Sequence, residues 1–296
     1  MDIGVIGLGC MGGNLAQRLV CGEHRVVGFD PDMEARKRVG SKGVETVDSL
    51  EALLLQLSVP RVLWLMVAPG RAVDQMLSRL MPLLAKGDTV VDGGNSHYQQ
   101  TQRRADVFTK QQIHYVDCGT SGGVWGLENG YRLMIGGDVA VVERLSPLFE
   151  TLATARGQGW SRVGCSGAGH YAKMIRSDIE YDLMQSFAEG YSILDHKSEL
   201  AFDLQQSADI WRCGSVVRCW LLELISMTLE KNPELIITVP QVKNSDEGRW
   251  TVAEAIALHV PIPVITLSLL EHLRSPHAGP HAKQQMAALM PLSENL

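Results

Sequence analysis

Ile3-Gly4-Val5-Ile6-Gly7-Leu8-Gly9-Cys10-Met11-Gly12, with Asn14 to Val20 directly behind it, is the stretch that decides the fold. A short β-branched run breaks into a glycine cluster and then into a helix-forming segment, the setting in which G-x-G-x-x-G has a physical meaning. The first two glycines permit a tight turn and close approach of a ligand to the backbone; the third lets helix and strand pack. A pyrophosphate would rest on the helix N-terminus, where unpaired N–H groups and the helix dipole favour an anion. Asp30 ends the second strand candidate, 18 residues beyond Gly12, where a carboxylate can accept hydrogen bonds from both ribose hydroxyls. Its charge repels a 2′-phosphate, and the following Pro31-Asp32 brings no arginine to hold one, so the pattern selects NAD over NADP. The competing reading is a plain strand-to-helix turn in another α/β fold.

Outward from this motif, short β-branched runs alternate with longer helix-like stretches up to about residue 165. The strand candidates are Ile3–Ile6, Arg25–Phe29, Val62–Met66, Thr89–Val91, His114–Val116 and Arg132–Ile135. That alternation predicts βαβ units and a parallel sheet. Beyond Gly167 the β-like runs stop, and long amphipathic segments take over at roughly 168–197, 200–230 and 252–274. The expected fold class is α/β: an N-terminal Rossmann-like, doubly wound domain over 1–165, then an all-α C-terminal domain over 166–296. The last twenty residues, with Pro276, Pro280 and Pro291, carry weak helical signal and read as a loosely held tail.

Composition narrows the function classes. Of the 296 residues, 45% are apolar and 20% charged, which supports a sizeable core and excludes a disordered chain. Lys and Arg number 27 against 33 Asp and Glu, and no basic run stands out to neutralise a phosphate backbone, so no nucleic-acid partner is expected. The six cysteines are scattered without a C-x-x-C pair or zinc-finger spacing, and read as reduced thiols with no metal. No signal-peptide pattern opens the chain, and the longest apolar stretches, Leu53–Leu57 and Val62–Ala68, fall short of the ~20 residues of a membrane span. The expected location is the cytoplasm, with no membrane partner.

Three more stretches put polar residues where strands should end, on the side where open α/β sheets bind ligands. They are Met66-Val67-Ala68-Pro69-Gly70, Asp92-Gly93-Gly94-Asn95-Ser96 and Thr120-Ser121-Gly122-Gly123. The paired glycines of the last can turn consecutive N–H groups toward a carboxylate, although each stretch could equally be a plain loop. Downstream, Gly167 to Tyr181 reads as a helix on which Lys173 and Glu180, seven residues apart, lie within about 20° of one face and about 10.5 Å apart along the axis. Ser177 falls between them. Met174, Ile175, Ile179, Leu183, Met184 and Phe187 are the expected buried face, which leaves the polar stripe to solvent or to a site.

These residues resemble 6-phosphogluconate dehydrogenase, decarboxylating, and its short NAD-preferring bacterial form in particular. The likeness is carried, in order, by Gly7 to Gly12, Asp92 to Ser96, Ser121-Gly122-Gly123, Gly167-Ala168-Gly169-His170 leading to Lys173, Ile179-Glu180-Tyr181, and Glu247-Gly248-Arg249-Trp250-Thr251. The resemblance implies an enzyme of the pentose phosphate pathway that uses NAD, needs no metal, and associates through its helical domain as a homodimer or homotetramer. It implies that Gly7, Leu8, Gly9, Cys10, Met11, Gly12, Asp30, Met66, Val67 and Asn95 hold the cofactor. Lys173 would be the general base on the 3-hydroxyl and then the acid toward the 3-keto oxygen as CO2 leaves, while Glu180 would protonate the enediol. Asn95, Ser121, Gly122 and Gly123 would hold the sugar acid with Lys173, Arg176, Ser177 and Glu180, and Tyr181 and Arg249 would reach its phosphate. A β-keto acid loses CO2 readily once its carbonyl is polarised, so an ammonium aimed at that oxygen suffices. The amine must first be neutral, which requires lowering from ~10.4 by desolvation or a nearby cation.

The chain departs from the family pattern on the substrate side. Where the family carries His-Asn, three and four residues after the lysine, this chain has Arg176 and Ser177; Asp178 and Asp182 replace glycines. Two phosphate-binding arginines fall at Pro276 and Met290, and the closing Gly-His segment has no counterpart after Met290. A cation at Arg176 would favour a neutral Lys173, whereas an i, i+4 ion pair between Arg176 and Glu180 would keep Glu180 ionised and oppose the final protonation. Two alternatives to the leading function therefore stand: a related 3-hydroxyacid dehydrogenase with a different, unphosphorylated substrate, and a catalytically silent NAD-binding paralogue.

Overall fold

The computed structural model describes residues 1–155, 157–231 and 246–274. The expectations at Pro276, Pro280, Met290 and Pro291 lie outside the described residues. Two compact units divide the chain between Lys173 and Met174.

The first unit alternates strands and helices: β1 (Asp2–Ile6), α1 (Cys10–Cys21), β2 (Arg25–Phe29), α2 (Met33–Gly40), β3 (Glu45–Val47), α3 (Leu50–Leu55) and β4 (Val62–Leu65). It continues through α4 (Arg71–Leu80), β5 (Thr89–Asp92), α5 (Tyr98–Lys110), β6 (His114–Ser121), α6 (Gly126–Asn129) and β7 (Arg132–Gly136). The helices α7 (Val139–Arg144) and α8 (Ser146–Leu152) then lead to β8 (Trp160–Gly164). The strands form one sheet in the order β3-β2-β1-β4-β5-β6-β7-β8. The order reverses between β1 and β4, the switch point at which doubly wound sheets open a ligand crevice.

Contrary to the expectation from the alternation, the sheet is not uniformly parallel. β7 pairs antiparallel with β6, Gly119 facing Met134, and β8 runs parallel to β7. Only ten residues, 122–131, separate β6 from β7. A parallel return needs a crossover of roughly a dozen residues or more, so the short link forces the reversal. The sequence pattern also missed β3 and β8, the two edges. β3 is three residues long, and β8 is mostly exposed, so neither shows the apolar alternation of a half-buried strand.

Side chains alternate across the inner strands and build a core on each face. Ile3, Val5, Trp64, Val91 and Val116 pack on one side with Leu15, Leu19 and Phe149. Ile6, Phe29, Leu63, Leu65 and Val90 pack on the other with Leu53, Leu77 and Phe108. Burying each such side chain contributes about 1.5–3 kcal/mol, which is why these runs read as near-continuous apolar segments.

α9 (Ala168–His196) starts in the first unit and continues in the second, which holds α10 (Leu204–Arg212), α11 (Trp220–Lys231), α12 (Asp246–Leu258) and α13 (Pro263–Arg274). The later amphipathic segments, roughly 200–230 and 252–274, are each divided between two helices, with breaks at Gly214, which has a positive φ, and around Pro261 and Pro263. Among the described residues, Tyr191, Ala208, Leu222, Ile225 and Leu229 form a core of this unit. Ile179, Leu183 and Ile193 on α9 and Val264 and Leu267 on α13 are exposed apolar side chains of this unit. Among the described residues no helix is long and apolar enough to cross a membrane.

Candidate active site

At the switch point, Gly7, Gly9, Asp30, Met66 and Val67 line one open cleft at the carboxyl ends of β1, β2 and β4. The glycines are needed where they stand. Gly7 has φ +93°, and a Cβ there would lie 2.3 Å from the Met66 carbonyl oxygen; one on Gly12 would lie 2.0 Å from the Gly7 oxygen. A Cβ on Gly9, by contrast, would meet nothing within 4 Å, so the backbone there borders open space. The N-terminus of α1 has no side-chain cap and no acidic residue in its first turn. Open space, uncapped amides and a carboxylate across the cleft together fit a dinucleotide.

Asp30 does more than line the cleft. Its Oδ2 accepts the Leu8 N–H at 2.7 Å and its Oδ1 the Asp32 N–H at 2.8 Å, so the carboxylate also fixes the glycine loop. Carboxylate oxygens retain further acceptor positions for hydroxyls. One cation the motif reading missed stands close by: Arg36 donates to the Asp30 carbonyl at 2.6 Å from one turn into α2. Of the other motif residues, Leu8 turns its side chain into the core, Met11 packs against it, and Cys10 is exposed. All six cysteines are free thiols; burial pushes the Cys118 thiol up to about 12.

The loop after β5 is tied down by Asp92, whose Oδ2 accepts the Ser96 hydroxyl at 2.7 Å and the Tyr115 hydroxyl at 3.0 Å, and whose Oδ1 accepts the Gly94 N–H at 3.2 Å. Arg104 reaches the same loop through Ser96 at 3.0 Å and pairs with Asp74 at 2.9 Å. Asn95 is left exposed between these anchors. The loop after β6 is shorter than anticipated, because Thr120 and Ser121 belong to the strand. Gly122 and Gly123 follow with φ +150° and +47°, backbone that suits glycine.

The helix that carries Lys173 abuts β6 without intervening side chains. A Cβ on Gly119 would fall 2.5 Å from the Lys173 Cβ, and one on Gly169 would fall 2.3 Å from the Met134 carbonyl oxygen. The lysine stem is therefore seated on β6 two residues before Ser121. Buried Asp117 caps the start of α9, with Oδ1 accepting the Gly167 N–H at 2.7 Å and Oδ2 the His170 N–H at 3.0 Å. His170, also buried, joins through Nε2 to the Asp92 carbonyl at 3.1 Å and through Nδ1 to the Thr101 hydroxyl at 2.7 Å. Neither Asp117 nor His170 stood out as a site residue in the sequence; an aspartate inside an apolar strand run, four residues before Ser121, was the available signal.

In the second unit, the anticipated Arg176–Glu180 ion pair is present, with Nη1 and Oε2 2.6 Å apart. The face expected to be buried is only partly so. Met174 and Met184 are buried, but Ile179 and Leu183 are about half exposed, while Ser177 and Asp178 are buried instead. Asp178 and Asp182 line a small pocket between α9, α12 and α13, together with Tyr181, Ser268 and His272. The Tyr181 and His272 rings stand 5.7 Å apart. Burial raises the Asp182 carboxyl above its ordinary pKa, a shift opposed by a hydrogen bond from Ser268. Gly248 lines the same pocket, and Arg249 beside it is exposed.

Both halves of the chain are similar to known proteins. Residues 2–167 match the model of the NAD binding domain of 6-phosphogluconate dehydrogenase, and residues 169–292 match that of the 6-phosphogluconate dehydrogenase C-terminal domain. A relative from Haloferax volcanii, named 6-phosphogluconate dehydrogenase, NAD(+)-dependent, decarboxylating, is 41% identical over 93% of this chain and 91% of its own. A Bacillus subtilis protein of the same name is 34% identical over 90% of this chain, which spans only 60% of that longer relative. The solved 6-phosphogluconate dehydrogenase of Plasmodium falciparum superposes with a TM-score of 0.82 at 26% identity, covering 95% of this chain and 66% of the other. With a Rossmann-like NAD-binding domain and a helical domain both matched along their length, the chain belongs to the 6-phosphogluconate dehydrogenase family of oxidoreductases.

Proposed function

We propose that this protein catalyses the NAD-linked oxidative decarboxylation of 6-phosphogluconate to ribulose 5-phosphate and CO2. The observation that carries the reading is the seat of Lys173: its stem rests on Gly119, at the end of the strand that leads into the Ser121–Gly123 loop. Asp30, charged and already fixed by two backbone amides, favours NAD over NADP by repelling a 2′-phosphate.

Gly7, Gly9 and Asp30 would hold the dinucleotide, which would supply the acceptor for a hydride from C3 of the sugar acid. Lys173 takes the proton of the 3-hydroxyl, then returns it to the 3-keto oxygen as the C1 carboxylate leaves as CO2. An ammonium at that oxygen stabilises the developing negative charge in the way an oxyanion hole does. Glu180 donates a proton to the enediol carbon that lost CO2 while Lys173 takes the proton of the hydroxyl that becomes the product's keto group, and exchange with solvent resets both residues. Asn95 and Ser121 to Gly123 hold the sugar acid, Arg176 and Ser177 replace the family's His-Asn pair, and Tyr181 with Arg249 receives the phosphate. Residues 1–165 serve the cofactor and 166–296 the substrate and self-association. The exposed Ile179, Leu183 and Ile193 suit a homodimer or homotetramer, and the enzyme works in the cytoplasm.

A second reading is favoured by one specific observation. Two carboxylates, Asp178 and Asp182, line the pocket beside Tyr181, and like charge there opposes a phosphate and suits an unphosphorylated 3-hydroxy acid. Both readings are tested by following reduced nicotinamide with NAD and either 6-phosphogluconate or a panel of unphosphorylated 3-hydroxy acids. Turnover with the phosphorylated acid upholds the first reading, turnover only with the panel replaces it by the second, and NAD binding without any turnover refutes both.

A further inference from the structure

We propose that His170 is a positioning residue that couples the Asn95 loop to Lys173, an inference that rests on the proposed role of Lys173. The imidazole is buried three residues before the lysine on the first turn of α9, and both ring nitrogens are engaged. The Asp92 carbonyl can only accept a hydrogen bond, so Nε2 carries the proton and Nδ1 is left to accept from the Thr101 hydroxyl. Asp92 is the residue from which the loop bearing Asn95 departs, and its side chain holds Ser96 and Gly94 of that loop. One ring thus ties the backbone at the root of the Asn95 loop to the helical turn that sets the lysine. Asp117 caps the helix from β6, Gly119 lies against the lysine stem, and the Tyr98 ring at the start of α5 meets the Tyr171 ring edge-on at 5.0 Å; on the β5 side, His170 contributes hydrogen bonds and Tyr171 ring packing. Without His170 the helix start remains capped and the Tyr98–Tyr171 packing remains, but the directional tie to the end of β5 is lost. A displacement of about 1 Å between two groups that grip one substrate is enough to cost on the order of a hundredfold in rate.

The two ring nitrogens give separable tests, because an asparagine amide reaches about as far as Nδ1 and a glutamine amide about as far as Nε2. His170→Gln keeps a donor for the Asp92 carbonyl, whereas His170→Asn keeps only the Thr101 side. With 6-phosphogluconate and NAD, His170→Asn is expected to lose roughly ten- to a hundredfold in kcat while the Kd for NAD stays within twofold, and His170→Gln to stay within about threefold of the parent. Thr101→Val, a milder change that leaves the helix sequence intact, should lower kcat severalfold. A second readout is independent of turnover: the rate and pH midpoint of reductive methylation of Lys173, measured by mass spectrometry against exposed Lys37. Both should shift in His170→Asn and hold in His170→Gln. The proposal is overturned if His170→Asn matches the parent in kcat and in Lys173 labelling, or if both variants lose NAD affinity and thermal stability together with rate. Should the parent itself turn over no 6-phosphogluconate, the functional reading falls, and the labelling comparison still decides whether His170 places the amine.

Discussion

Replacing Gly119 by alanine adds one methyl group at the point where the lysine helix meets the sheet. The new Cβ would sit 2.5 Å from the Lys173 Cβ, 2.6 Å from the Gly169 carbonyl oxygen and 3.2 Å from the Lys173 Cγ. Non-bonded carbons settle at about 3.5–4.0 Å, so a gap of about 1 Å or more must open. Neither of the two closest atoms is the end of a flexible side chain. The first turn of α9 must therefore back away from β6 and carry Lys173 with it. Overpacking of this kind costs about 1–3 kcal/mol of stability, and an amine displaced by about 1 Å costs on the order of a hundredfold in kcat. The NAD cleft lies at the ends of β1, β2 and β4, so the Kd for NAD should not change. Gly190→Ala is the control: it lies farther along the same helix, its Cβ would meet nothing within 4 Å, and helix propensity should add about 0.5–1 kcal/mol. The assay is kcat by reduced-nicotinamide absorbance, with calorimetry for NAD binding and thermal unfolding for stability. A folded Gly119→Ala protein with kcat within twofold of the parent would refute the idea that the seat of Lys173 on β6 sets the chemistry.

Asp30→Asn keeps an acceptor for the glycine loop but removes the charge; charge-assisted hydrogen bonds contribute about 1.5–3 kcal/mol, so NAD should bind about ten- to a hundredfold more weakly while the NADP to NAD ratio of kcat/KM rises. Arg36, held against the Asp30 carbonyl, is close enough to assist a 2′-phosphate once the repulsion is gone, and adding Arg36→Ala to the Asp30→Asn variant should abolish the gain. Arg176→His with Ser177→Asn breaks the 2.6 Å ion pair to Glu180; a rise of tenfold or more in turnover would show the native pair restrains protonation, and a fall would show Arg176 supports the substrate. Asp182→Asn tests the raised carboxyl. A folded-state pKa above the unfolded value means the folded protein holds the proton longer, so stability declines as pH rises through that window from the ordinary value near 3.8. The asparagine variant should therefore gain in Tm relative to the parent between pH 4 and pH 7, and a flat difference across that range would contradict the assignment.

How far the sequence reveals this protein depends on how local each signal is. Gly7, Gly12 and Asp30 are legible because the steric demand of a glycine turn and the reach of a carboxylate are set within a few residues. The i, i+4 pair of Arg176 and Glu180 is legible for the same reason. Asp117 and His170 are not, since their partners are 50 and 53 residues away for the aspartate and 69 and 78 for the histidine. β8 escaped because an exposed edge strand carries no alternation. Ile179 and Leu183 misled the helix reading for a different reason: periodicity identifies an apolar stripe but not which neighbours cover it, and here α12 and α13 bury the Asp178 side of α9 instead.

The most direct measurement supplies 6-phosphogluconate labelled at the carboxyl carbon, with NAD, to the parent protein and to Lys173→Met. The parent should release labelled CO2 and form reduced nicotinamide in a one-to-one ratio, and the methionine variant should do neither while binding NAD as before. Reduced nicotinamide without labelled CO2, or undiminished release by the methionine variant, would contradict the assignment of Lys173 to an oxidative decarboxylation.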